Sequence, residues 1–75
     1  MLIIDMKKTG NNLRSMLKHA DITQVKLAEM LHLATCTVNN WAVGKSLPTV
    51  ENLMNVCDML NCGVEDILVM SEIDY

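Results

Sequence analysis

The hydrophobic residues of this chain recur at helical spacing, and the clearest pattern lies in residues 22–45. Two short helices are predicted there, because apolar residues fall on one face of each. Those residues are Leu27, Ala28 and Leu31 in the first helix and Val38 and Trp41 in the second. His32 and Leu33 leave room between the two helices only for a sharp turn. Helices this short depend on tertiary packing, so the pattern predicts a helix-turn-helix inside a larger helical fold.

The flanking residues predict three more helices. Thr9 is the expected N-cap of a first helix that ends near His19, Thr49 that of a fourth, and Gly63 that of a fifth. Thr23 is likewise the expected N-cap of the second helix, the first of the motif. The expected buried stripe of the fourth helix is Val50, Leu53, Met54, Cys57 and Leu60.

The two ends of the chain are apolar and are less regular. The β-prone start, Leu2 to Ile4, could be a short edge strand, a dimer contact or a frayed tail. The apolar tail Val69, Met70, Ile73 and Tyr75 could form a dimer surface or dock on the fold. We therefore expect an all-α, five-helix protein with a possible short N-terminal strand. Its predicted parts are an N-terminal extension (1–8), a helix-turn-helix domain (9–69) and a C-terminal tail (70–75).

Three non-glycine residues stand where the predicted helices end. Asp21, His32 and Asn61 belong to the residue types that best tolerate a positive φ. We expect each to adopt left-handed geometry. His32 and Cys36 are four apart, but the turn between the helices removes any shared face, so no metal site is expected there.

The net charge of −3 disfavours nucleic acid until its distribution is considered. Residues 1–45 hold all six cations and three acids, which gives +3, whereas residues 46–75 hold six acids and no cation. The positive half therefore coincides with the helix-turn-helix. A merely solvated surface would give the same asymmetry.

Length and cysteine content limit the other classes of protein. The 75 residues form one small domain, and no apolar run approaches the about 20 residues of a membrane span. The apolar start is also too short for a signal peptide, so a cytoplasmic protein is expected. Three cysteines without a Cys-x-x-Cys motif disfavour a disulfide framework. Cys57 and Cys62 are expected in the core, and Cys36 is expected on the surface.

The outer face of the second helix of the motif is slim, polar and uncharged. It presents Thr35, Cys36, Asn39 and Asn40, opposite the apolar Val38 and Trp41. Such a helix can enter the major groove of DNA and offer hydrogen-bond donors and acceptors to base edges.

The order of residues in this region resembles the phage repressor and Cro (Xre-type) class of helix-turn-helix regulators. The similarity extends from about Thr9 to Leu68. Its motifs are Thr23-Gln24-x-x-Leu27-Ala28-x-x-Leu31, then Leu33, Thr37-Val38-Asn39-x-Trp41 and Gly44-Lys45-x-x-Pro48. This class often has a paired Arg and Glu where the chain has Leu17 and Ala42. Because both members of the pair are replaced together, no single charge is left unpaired in a buried site.

The resemblance implies a lambda-repressor-like domain that binds double-stranded DNA as a homodimer, with helix 3 in the major groove. Gln24, Lys45 and the backbone amides of the loop after helix 3 would hold phosphates. The expected DNA-binding residues on helix 3 are Thr35, Cys36, Thr37, Asn39 and Asn40.

Two other classes of function are alternatives to DNA-binding regulation. The acidic half and apolar tail would also suit a protein-interaction module on the same fold. An enzyme is disfavoured because no nucleophile has a nearby base and no glycine-rich phosphate loop is present. No cofactor, metal or small-molecule ligand is indicated. Oxidation of an exposed Cys36 would block a groove-bound helix.

Overall fold

The structure of the protein is a computed structural model, and it describes residues 1–73. Within these residues five helices form the body, and two short strands lie at the ends of the chain. The elements are β1 (Leu2–Ile4), α1 (Met6–His19), α2 (Gln24–Leu31), α3 (Thr35–Ala42), α4 (Val50–Leu60), α5 (Val64–Ile67) and β2 (Met70–Glu72). The predicted five-helix fold with a short N-terminal strand is confirmed.

Helices α2, α4 and α5 begin where the sequence predicts. The Thr23 hydroxyl oxygen accepts a hydrogen bond from the Lys26 amide at 3.0 Å, and the Thr49 hydroxyl oxygen accepts one from the Asn52 amide at 3.2 Å. Each bond satisfies one of the amides that a helix start leaves without a partner. Gly63 precedes α5, and its amide donates to the Asp66 carboxylate at 2.9 Å.

The predicted start of α1 at Thr9 is wrong. The helix begins at Met6, because Asp5 is the N-cap and its carboxylate accepts the Lys8 amide at 3.0 Å. Thr9 lies inside the helix, 4% exposed, and its hydroxyl oxygen accepts the Val69 amide at 3.0 Å. The threonine therefore fixes the C-terminal segment to α1 instead of capping the helix.

The two ends of the chain pair with each other. Strands β1 and β2 are antiparallel, with Leu2 opposite Glu72 and Ile4 opposite Met70. The Asp5 amide extends this pairing by donating to the Val69 carbonyl at 2.7 Å. Of the alternatives for the N-terminus, the short strand is confirmed, and its partner is the tail up to residue 73. The tail's last two residues, including Tyr75 of its predicted apolar set, lie outside the described residues. The predicted division at residues 8/9 and 69/70 stays a prediction.

Left-handed residues end the helices as expected. Asp21, His32 and Asn61 have φ of 57°, 58° and 52°, and Gly44 after α3 has φ of 79°. These conformations let the chain reverse direction between helices without a long loop.

The core lies between the helices, and it corrects the prediction for α4. Val50 is 78% exposed and Met54 is 55% exposed, whereas Val56 is 1% exposed. The buried face of α4 is centred on Val56 and Cys57, and Leu53 and Leu60 pack at its edge. Both sets of positions have helical spacing, so the apolar pattern alone did not fix which face turns inward.

Helices α1 and α3 cross at Gly10. A β-carbon at this position would lie 2.5 Å from the Ala42 carbonyl oxygen and 2.7 Å from the Trp41 carbonyl oxygen. Only a residue without a side chain allows the last turn of α3 to approach α1 so closely. Leu17 and Ala42, which are apolar where the resembled class often has an ion pair, are 3% and 1% exposed. The contact with α1 therefore sets the position of α3.

Candidate nucleic-acid interface

The corner between α2 and α3 is held by buried side chains and by backbone hydrogen bonds. Leu27 and Val38 have no exposed surface, and Trp41 is 5% exposed. His32 adopts the left-handed conformation, and the amide of Leu33 donates to the carbonyl of Ala28 at 2.9 Å. These contacts fix the orientation of α3 relative to α2, as a helix-turn-helix requires.

The face of α3 opposite Val38 and Trp41 is open to solvent. Thr35, Cys36 and Asn39 are exposed. Asn40 is half-buried beside them, and Thr37 is half-buried at the edge of the face. Within residues 1–73, the side chains of Asn39 and Asn40 make no intramolecular hydrogen bond. Their amide groups are free to bond to base edges, but their role in DNA binding stays a prediction.

The start of α2 offers two backbone donors. Thr23 satisfies the Lys26 amide, which leaves the amides of Gln24 and Val25 ahead of the first bond within the helix. The Gln24 side chain is half-buried next to them. The partial positive charge of a helix N-terminus favours a phosphate at this position.

The loop after α3 corrects one expectation. The amides of Lys45 and Ser46 both donate to the Asn40 carbonyl, at 2.9 and 3.3 Å, and the Gly44 amide donates to the Trp41 carbonyl at 3.2 Å. These three amides close the end of α3 and do not face a ligand. The exposed Lys45 side chain is left as the candidate phosphate contact of this loop.

The positive half of the chain is largely free of internal ion pairs. In the part of the chain that the structure describes, two ion pairs occur, between the N-terminus and Glu72 at 4.0 Å and between Lys26 and Glu29 at 3.9 Å. The cations of α1 and Lys45 take part in neither. Their charges are therefore available to an external anion.

The three cysteines lie in different environments. Cys57 is 5% exposed, as predicted, and Cys62 is half-buried beside it. Burial and the neighbouring Cys57 raise the pKa of the Cys62 thiol to about 11. Cys36 is exposed on the outer face of α3. It is therefore the accessible thiol among the three.

The protein has a helix-turn-helix whose second helix presents an open polar face, and exposed cations that form no ion pair within residues 1–73 lie in the same half of the chain. These features are typical of DNA-binding regulators. The sequence model of the Cro/C1-type HTH DNA-binding domain matches residues 12–72, and the chain belongs to this family. It is a family of DNA-binding domains and is not a family of enzymes in general.

Solved structures share the fold. The restriction-modification controller protein C.AhdI from Aeromonas hydrophila superposes with a TM-score of 0.75 at 21% identity, over 84% of this chain and 96% of that one. The DNA-binding domain of BldD superposes with a TM-score of 0.71 at 20% identity, over 85% of this chain and 93% of that one. No curated protein gives a significant match. In residues 1–73 no helix is both long and apolar enough to cross a membrane.

Proposed function

We propose that this protein binds specific double-stranded DNA sites as a homodimer, with α3 in the major groove, and represses transcription there. The observation that carries the proposal is the open face of α3. Its small uncharged side chains lie on the side of the helix opposite the buried Val38 and Trp41. A recognition helix of this type needs an outer face that fits between the DNA backbones and exchanges hydrogen bonds with base edges.

Base recognition is assigned to the side chains of this face. The amides of Asn39 and Asn40 can each form a two-bond pair with adenine, and the Thr35 methyl group can contact a thymine methyl group. Cys36 adds a small, weakly polar contact next to them. Thr37 stands at the edge of the face, where its hydroxyl group suits a contact with sugar or phosphate.

Phosphate contacts on both sides of α3 would fix the helix in the groove. We assign them to the amides of Gln24 and Val25, to the Gln24 side chain and to Lys45. If the exposed cations of each subunit, Lys45 among them, neutralise about three phosphates, the plot of log affinity against log salt for a dimer has a slope near −5. An affinity that does not change with salt would contradict this part of the proposal.

Dimer formation is proposed because α3 carries no Arg or Lys, the side chains that make the commonest specific base contact. Two weakly binding subunits gain affinity when they bind two half-sites about 34 Å apart. The two-stranded sheet supplies an apolar surface for such a contact: Leu2 is 61% exposed and Met70 is 47% exposed.

A bound dimer occludes the promoter that it covers, which favours repression, and the proposed place of action is the cytoplasm. Neither catalysis nor a cofactor, metal or small-molecule ligand is part of the proposal.

The test uses sites selected from a random duplex pool and two variants. Asn39→Ala is expected to change the preferred base at one position in each half-site. Lys45→Glu is expected to weaken binding to all sequences alike, because it removes a phosphate contact. The absence of saturable binding by the wild-type protein would contradict the proposal and favour a protein-interaction module. A change of preference with Lys45→Glu and none with Asn39→Ala would show that α3 is not the recognition helix.

A further inference from the structure

The loop after α3 lies directly on the first turn of α1. Gly44 has φ of 79°, and a β-carbon on it would be 3.1 Å from the Lys7 α-carbon and from the Met6 carbonyl oxygen. Consecutive α-carbons are about 3.8 Å apart, so Lys45 is held beside this contact as well. The fold therefore brings the backbone at Lys7 close to the backbone at Lys45, although 38 positions separate the two residues in the sequence.

Both lysines are exposed, and neither forms an ion pair within residues 1–73. The nearest acid along the chain, Asp5, is occupied by the Lys8 amide at 3.0 Å. The pair also stands where α3 ends, and the end of a helix carries a partial negative charge that disfavours a nearby phosphate. Two cations at this position offset that charge.

The amides at the start of this loop cannot bind an anion in their place. The amides of Lys45 and Ser46 are both bonded to the Asn40 carbonyl. At Gly44, Lys45 and Ser46, a contact with phosphate must therefore come from side chains. Lys45 alone provides one positive charge, and Lys7 is the second cation that the fold places next to it.

We propose that Lys7 and Lys45 together form a phosphate clamp that holds the DNA backbone where α3 leaves the major groove. The inference rests on the proposed function and adds a residue that lies outside the expected helix-turn-helix domain. Its occupant is the backbone of the same DNA duplex whose bases α3 contacts. Each clamp residue contributes charge and position, and neither contributes to base preference.

Lys8 provides a matched control. It follows Lys7 in the same turn of α1, is also exposed and carries the same charge. Successive residues of a helix point about 100° apart. Asn12, four residues after Lys8 on its side of the helix, donates to the Ile67 carbonyl at 3.3 Å, so that side of α1 faces α5. Gly10, three residues after Lys7, faces α3 instead.

The experiment measures the affinity of wild type, Lys7→Gln and Lys8→Gln for a selected duplex between 50 and 200 mM salt. Each lost phosphate contact makes the salt slope less negative by about 0.9, so a Lys7→Gln dimer should change it by about 1.8. Over this fourfold rise in salt, the affinity of that variant should then fall about 12-fold less than that of wild type. Lys8→Gln should leave the slope within about 0.5 of wild type, and both variants should keep the same preferred sequence.

The failures are distinguishable. If wild type binds DNA with the expected salt dependence and Lys7→Gln changes the slope no more than Lys8→Gln does, the clamp is wrong and the proposed function stands. A changed sequence preference in Lys7→Gln also overturns the clamp. If wild type shows no salt-dependent binding, the proposed function fails and the clamp fails with it. Circular dichroism of both variants confirms that the exposed substitutions leave the fold intact.

Discussion

Replacing Gly10 with alanine tests the contact that sets the position of α3. The added β-carbon would lie 2.5 Å from the Ala42 carbonyl oxygen. An unstrained contact between carbon and oxygen measures about 3.3 Å, so the two helices must separate by roughly 0.8 Å. The oxygens of Ala42 and Trp41 belong to the backbone of α3 and cannot rotate away as a side chain would.

Two opposing terms determine the size of the effect. Alanine inside a helix is favoured over glycine by about 1 kcal/mol. Overfilling a well-packed contact costs about 1–3 kcal/mol, and the short distances at Gly10 favour the upper end. The expected net loss in the free energy of unfolding is therefore about 2 kcal/mol. For a domain of this size, that loss lowers Tm by about 8–16 °C.

Urea denaturation followed by circular dichroism measures this loss, and Gly63→Ala is the control. A β-carbon on Gly63 would meet the carboxylate of Glu65, an exposed and flexible side chain that can move aside. Its expected cost is at most about 1 kcal/mol, from a poorer N-cap. Wild-type stability in Gly10→Ala, or a loss no larger than in Gly63→Ala, would refute the close approach of α1 and α3.

Three further predictions concern the core, the tail and the thiols. In urea denaturation, Val56→Ala should lower the free energy of unfolding by about 2 kcal/mol, and Val50→Ala should lower it by less than about 0.5 kcal/mol. Equal losses would contradict the assigned face of α4. Thr9→Val should lower the free energy of unfolding by about 1–3 kcal/mol, because the part-buried Val69 amide loses its acceptor. Unchanged hydrogen exchange of that amide would argue against the bond. Alkylation at pH 8 should modify the exposed Cys36 well before Cys62, because the pKa of about 11 keeps the Cys62 thiol protonated. Equal alkylation rates of the two cysteines in peptide mass spectra would disprove this difference.

Features decided by neighbouring residues were predictable from the sequence. The caps at Thr23 and Thr49 and the left-handed residues at His32 and Asn61 depend on local backbone preferences, and the structure shows all four. The open face of α3 was predictable because Val38 and Trp41 fix which side of a short helix is buried.

Features decided by distant residues were not predictable. Asp5 and Thr9 are both good N-caps, and the choice between them follows from the Val69 amide, which occupies the Thr9 hydroxyl from 60 positions away. The contact between Lys7 and Gly44 likewise exists only in the folded chain. The two consecutive lysines were visible in the sequence, but nothing local distinguishes a clamp residue from an ordinary surface charge.

In the proposed complex, the outer face of α3 lies against base pairs. The most direct test of this arrangement is an NMR titration of the labelled protein with a duplex selected from a random pool. The largest shifts should fall on the side-chain amides of Asn39 and Asn40 and on the backbone amides of Thr35, Gln24 and Val25. Large shifts confined to α4, α5 and the two-stranded sheet, with α3 unchanged, would contradict it.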